Sequence, residues 1–176
     1  FSVEGSADGS SVSKTGDAVG AAVVVSYGEG DNSATIGSGS TVRADGLTVE
    51  AVKATDSTVH KSTTITKSGA GGKEIGVAGS VSVNLFDVDT VADIGANSSL
   101  TLSGGDLVLR AVSATSTKTE AKPENEDGAA GSGEDVGVGA SVAFDRSDAQ
   151  TRATLQDAVS VAGTARDLRI EATGIH

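Results

Sequence analysis

Gly76-Val77-Ala78-Gly79-Ser80-Val81-Ser82-Val83-Asn84 returns as Gly137-Val138-Gly139-Ala140-Ser141-Val142-Ala143-Phe144-Asp145, and more loosely as Ala18-Val19-Gly20-Ala21-Ala22-Val23-Val24-Val25-Ser26. Valines alternate with small residues along these segments. A period of two marks a strand, because successive side chains of an extended chain point to opposite faces. The copies stay in register further along. Ala34-Thr35-Ile36 answers to Ala92-Asp93-Ile94 and Ala153-Thr154-Leu155, and Leu47-Thr48-Val49-Glu50-Ala51 answers to Leu107-Val108-Leu109-Arg110-Ala111 and Leu168-Arg169-Ile170-Glu171-Ala172. A two-residue gap near Gly104-Gly105 aligns the first two copies. The 176 residues therefore read as one repeat segment, with copies over 18–66, 75–120 and 136–176 and a period of about 60 residues.

Val and Thr fill the periodic stretches, and Gly, Asp, Asn and Ser punctuate them, as at Gly28-Glu29-Gly30-Asp31-Asn32 and Ser103-Gly104-Gly105-Asp106. No segment carries a helical period, so the chain reads as all-β. With 3 Phe, 1 Tyr and no Trp, Met or Cys, the core must come from Val, Leu, Ile and Ala. Thin side chains that recur at a fixed interval suit strands coiled one above another, a parallel β-helix or β-solenoid. On this reading the valines point inward as ladders. Each copy supplies two or three rungs about 4.8 Å apart. The alternative is an antiparallel β-sandwich, which calls for an aromatic-rich core and no such repeat.

Three stretches, 4–17, 67–74 and 121–135, precede the valine-rich strand of each copy and read as Gly/Ser/acidic loops on one side of the stack. Loops on one face of a repeat protein are often its binding face. The longest holds the only proline and offers Glu124, Asn125, Glu126 and Asp127 as candidate ligand-binding residues.

Thirteen Lys and Arg against 24 Asp and Glu give a formal charge of -11, which repels phosphate backbones and anionic membranes, so nucleic acid is not an expected partner. No apolar run reaches the roughly 20 residues of a membrane helix, and membrane insertion is not expected. The lack of cysteine excludes disulfides and thiolate chemistry. A chain that opens at Phe1 without Met reads as an internal or processed piece, cut through a repeat array.

Val77-Ala78-Gly79-Ser80-Val81-Ser82-Val83-Asn84, followed by Ala92-Asp93-Ile94-Gly95, Leu100-Thr101-Leu102 and Gly105-Asp106-Leu107-Val108-Leu109-Arg110-Ala111, resembles the large repetitive surface adhesins and filamentous hemagglutinin-like exoproteins of Gram-negative bacteria, leukotoxin-type adhesins included. The likeness extends over most of the chain in three copies. The third departs from it at Gln156, where the others have Gly37 and Gly95, so a different turn is expected there. The resemblance implies a β-helical stalk, secreted or anchored at the bacterial cell surface, that serves cell adhesion and virulence. Its partners would be host-cell or bacterial surfaces, glycans, and neighbouring repeats of the same chain.

Chemistry has little foothold. His60 and His176 stand in no HExxH pattern, and GxSxG, GxGxxG and P-loop motifs are absent, so the chain is expected not to be an enzyme. No organic cofactor is expected. Asp87 and Asp89, two apart on an extended segment, point the same way and are the candidate Ca²⁺ ligands or acid/base pair. Their counterparts, Glu29 and Asp31, then Asp148 and Gln150, also fit an acidic turn at a fixed place in the repeat. A polysaccharide-binding or polysaccharide-cleaving β-helix module is therefore the second reading. An ice-binding scaffold is the third, resting on Thr115, Thr117 and Thr119, with Thr55, Ser57 and Val59 as their counterparts in the first copy.

Overall fold

The computed structural model describes residues 1–52, 59–124 and 136–176. Among them the only regular elements are strands: β1 (Ser2–Asp8), β2 (Ser11–Val12), β3 (Ala18–Ile36), β4 (Thr41–Ala44), β5 (Leu47–Val52), β6 (His60–Lys67), β7 (Ala70–Gly71), β8 (Ile75–Ile94), β9 (Ser99–Ser103), β10 (Leu107–Lys122), β11 (Val136–Leu155), β12 (Ser160–Thr164) and β13 (Leu168–Ile175). The stretches read as loops at 4–17 and 67–74 contain most of β1, with β2 and β7.

Every described pairing is parallel, which rules out the antiparallel sandwich. Strands pair with their own repeat equivalents: β3 and β11 flank β8, β4 and β12 flank β9, and β5 and β13 flank the first half of β10. The second half of β10 lies beside β6, which in turn pairs with β1. Each copy thus supplies one strand to the sheet around β8 and one to the sheet around β9, where the sequence reading expected two or three rungs per copy. The 58-residue step from Ala18 to Gly76 and the 61-residue step from Leu107 to Leu168 are single layers.

One register differs from the sequence alignment. Thr115, Thr117 and Thr119 pair with His60, Ser62 and Thr64, not with Thr55, Ser57 and Val59. Val112 pairs with Val52 and Thr115 with His60, so the first copy carries five extra residues between those pairs. Residues 53–58 in that interval lie outside the described residues.

The interior has two unlike ends. Ile94, Leu100, Leu102, Leu107 and Leu109, all within 2% of full burial, pack with Val49, Ala51, Ala92 and Ala111 where β5, β8, β9 and β10 meet. At the other end Ser62, Thr64 and Thr66 of β6 and Ser82 and Asn84 of β8 are fully buried. Ser62 Oγ donates to Asn84 Oδ1 at 2.6 Å, Asn84 Nδ2 donates to Asp145 Oδ2 at 3.3 Å, and Thr119 Oγ1 donates to the same carboxylate oxygen at 2.6 Å.

This arrangement overturns the inward valine ladders. β8 runs without interruption for 20 residues, so its parity is set once. Ile94, Ala92, Val88 and Phe86 must face inward to bury their bulk. The same parity carries inward to Asn84, Ser82, Ser80 and Ala78 and leaves Val77, Val81 and Val83 outside. The backbones are also too close at that end for valine. Ala18, Ala70 and Ala78 form a small cluster of their own, and a Cβ on Gly20 would run into the Gly69 carbonyl oxygen.

The turn after the long strand is the same in all three copies, contrary to the change expected at Gln156. Gly39, Asn97 and Ala158 occupy equivalent positions with φ of 72°, 59° and 57°. Gln156 keeps the backbone bond of its equivalent, donating from its N to Ile94 O as Gly95 N does to Ile36 O. Its side chain bridges to the neighbouring layer, accepting from Ala96 N and donating to Asp93.

Candidate interaction face

The outward side of the β3–β8–β11 sheet gathers the residues that parity expels from the interior, and the in-register pairing lines them up across the layers. Four apolar rows result: Val19, Val77 and Val138; Ala21, Gly79 and Ala140; Val23, Val81 and Val142; Val25, Val83 and Phe144. A fifth row, Tyr27, Leu85 and Arg146, ends the apolar field. A sixth is acidic in every layer, Glu29, Asp87 and Asp148, and the seventh holds Asp31, Asp89 and Gln150. Val23 is 64% exposed, Val25 65%, Val142 60% and Phe144 51%. A contiguous apolar surface on this scale marks an interaction site more often than a bare monomer surface.

Two hollows shape the face. One runs along the Ala21, Gly79 and Ala140 row, floored by small side chains and edged by Val23, Val81 and Val142. The other, about 150 Å³, lies at the acidic border among Tyr27, Leu85, Phe86, Asp87, Arg146 and Asp148. There Tyr27 Oη donates to Glu29 Oε2 at 2.8 Å, and this bond, with the charge of Glu29 and then Asp87, raises the Tyr27 pKa above its ordinary value.

Asp87 and Asp89 do point the same way, as expected, but they sit within β8 and not in a turn. Asp87 is exposed, whereas Asp89 is half-buried with Oδ1 enclosed and accepting no hydrogen bond. Among the described residues no group of three His, Asp or Glu side chains is placed to hold a metal ion. Glu124 lies 3.8 Å from Lys122 Nζ, and Asn125, Glu126 and Asp127 fall outside the described residues. The histidines lie in one inward row separated by a layer: His60 pairs with Thr115, whose Oγ1 is 2.9 Å from His176 Nδ1. The His60 ring, 7% exposed, meets Phe1 edge-on with centroids 5.0 Å apart. Thr115, Thr117 and Thr119 share the parity of Leu107, Leu109 and Ala111, which faces the interior, so they form no outer threonine plane.

The valine face escaped the sequence reading, although the signal that finds it is present. Counting in twos from Ile94 back through Asn84 puts every valine of β8 before Val88 on the outer side. Comparison of the chain with protein-family models, with characterised proteins and with solved structures finds no match.

Proposed function

We propose that the chain is a non-enzymatic structural and adhesive segment of a large secreted or surface-anchored bacterial adhesin, in which each copy of about 60 residues makes one turn of a parallel β-solenoid. The observation that supports this reading is the copy-to-copy pairing. All three long strands lie side by side in chain order, as do their short successors, and the offset is always one repeat. Such a fold lengthens by adding copies, each contacting its neighbours through backbone hydrogen bonds along the stack, and its reach follows from copy number. The broad layers make the segment a slab about three strands deep, so a long stalk needs many more copies. Its loops and its outer face are then the surfaces offered to cells or glycans.

Binding of the isolated chain to a glycan array and to cell surfaces, with and without calcium, tests this beside a variant lacking residues 121–135. Binding that is lost with the loop supports an adhesive segment with its site there, and no binding by either form supports a spacer. Release of unsaturated sugars from an acidic polysaccharide, abolished by Asp87→Asn with Asp89→Asn, would overturn the non-enzymatic reading.

A further inference from the structure

We propose that the two ends of the stack bind one another, so that a second copy of this chain joins the first head to tail by the same in-register pairing that joins the layers within it. Among the described residues nothing pairs with the outer side of β1, β3, β4 and β5 at the head, or of the second half of β10, β11, β12 and β13 at the tail. Long unpaired edges are templates for a further strand. The tail also lays core positions open. Val161, Leu168 and Ile170 are 44%, 60% and 46% exposed, whereas Leu100, Leu107 and Leu109, their equivalents one layer in, are all at 0%.

The register identifies what covers them. Leu100, Leu107 and Leu109 pair on their other side with Val42, Leu47 and Val49, so the head offers the rows that the tail lacks. A second copy moved three layers along the stack sets its Val42, Leu47 and Val49 beside Val161, Leu168 and Ile170, and its Ile36 beside Leu155. Asp145, the inward carboxylate of the tail layer, comes beside the Ser26 hydroxyl, a donor. This one translation joins β11 to β3, β12 to β4, β13 to β5 and the second half of β10 to β1. A two-fold axis across the stack turns the cross-section over and matches one edge at most. The contact is heterologous and does not close, so it builds an open filament. Edges paired over about 35 residues at about 3.3 Å each, in a band roughly 10 Å wide, give on the order of 1,000 Å² per copy and 2,000 Å² in all. That exceeds the total of about 1,000 Å² expected of a specific interface. Outward charges fall in mixed pairs: Lys118 meets Glu4 and Lys122 meets Asp8, while Asp148 meets Glu29 and Glu171 meets Glu50. With -11 on each copy, long-range repulsion opposes the contact and salt relieves it.

Sedimentation velocity over a concentration series, at low and high salt, tests the proposal on the 176-residue chain, and none of its readouts depends on adhesion. The unaltered chain should pass from monomer to longer species between about 1 and 100 µM, and further at high salt. Leu168→Lys with Ile170→Lys, at positions already exposed, should stay monomeric with an unchanged circular dichroism spectrum. Single thiols in this cysteine-free chain read the geometry with the core unaltered. Ser33 and Arg152 are exposed and both pair with Val91, so within one copy they stand about 9.6 Å apart, too far for a disulfide. Across the proposed contact they are one strand spacing apart, about 4.8 Å, which a disulfide spans. Mixed and oxidised, Ser33→Cys and Arg152→Cys should link on the order of tenfold faster than either variant alone, or than Ser33→Cys mixed with Thr101→Cys on the exposed side of β9. A chain that stays monomeric at about 100 µM in high salt overturns the proposal. So does association undiminished in the lysine variant, or Arg152→Cys alone linking as fast as the mixture, which sets tail against tail.

Discussion

Exchanging the characters of Val81 and Ser82 in separate variants tests the inverted parity directly. Ser82 is 0% exposed, its Oγ donates to Thr64 O at 3.4 Å, and its neighbours across the interior are buried Ser and Thr side chains. Ser82→Val inserts branched methyls where the opposing sheet has no room and removes the hydroxyl that donates to Thr64 O, a cost of about 1–3 kcal/mol for overpacking. Val81 is 37% exposed on the outer side, so Val81→Ser loses strand preference and some contact with Val23 and Val142, at most about 1 kcal/mol. At roughly 2–4 °C per kcal/mol for a chain of this length, Ser82→Val should lower the melting temperature by about 2–12 °C and Val81→Ser by less than about 4 °C. Urea titration and thermal melts read the difference. Were valines the core, Val81→Ser would leave a cavity and a buried hydroxyl and would be the worse of the two. A larger loss for Val81→Ser than for Ser82→Val would refute the parity argument.

Ala158 holds φ near 57° without the conformational licence of glycine, so Ala158→Gly should raise stability by about 0.5–1 kcal/mol, read as a higher urea midpoint with an unchanged slope. Asp106 accepts two bonds from Arg166, at 2.9 and 2.6 Å, and that hydrogen bonding holds its carboxyl below the ordinary carboxylate range. Its stabilising share is therefore full above the ordinary value and is lost as pH falls through the lowered one. The stability gap between the unaltered chain and Asp106→Asn should be steady from neutrality to about pH 5 and close below about pH 4 in urea melts across pH. Tyr27 is the sole tyrosine, so its phenolate absorbance titrates one group, and Glu29→Gln should move that titration to lower pH. An unmoved titration would deny the Tyr27–Glu29 contact.

Much of the fold was legible because the repeat is explicit in the residues. The rows Ile36–Ile94–Leu155 and Leu47–Leu107–Leu168, which the repeat aligns, are rows the sheets make. Strand orientation followed from that repetition, since a segment that pairs with its own equivalent one copy away can do so in parallel. Two things were not legible from local pattern. The number of strands per copy depends on where the chain turns, and β3, β8 and β11 pass straight through Gly28-Glu29-Gly30-Asp31-Asn32 and its counterparts, which read as punctuation. A Gly- and Asp-rich run breaks a strand only when its neighbours do not hold it, and here each lies beside a copy in register. The second was phase, because alternation reports two faces without saying which is inside. Valine is the larger residue, and transfer energy alone puts it inward. Continuity with Ile94 overrules that preference, since no strand can change parity without a bulge.

The polar end of the interior gives the stack something the valines cannot. An outer surface of Val-x-Val-x-Val is nearly unchanged by a slip of two residues, so those rows alone would tolerate neighbouring layers out of register. Asn84 would not. In the observed register its amide donates to Asp145 in the next layer, while its carbonyl accepts from Ser62 across the interior. A slip of two residues would set Ala143 or Ser147 beside it and leave a fully buried amide without its carboxylate, at a cost of about 1–3 kcal/mol. Thr119 would lose the same carboxylate, since it donates to Asp145 from the adjoining wall. Ile94 and the leucines supply burial, and the Ser62–Asn84–Asp145–Thr119 chain of bonds selects one register among those that burial would accept. A core built wholly of stacked valines would be drier but less specific, and the division of labour explains why the smaller, polar side chains occupy the inside of the strand where bulk alone would have placed the valines.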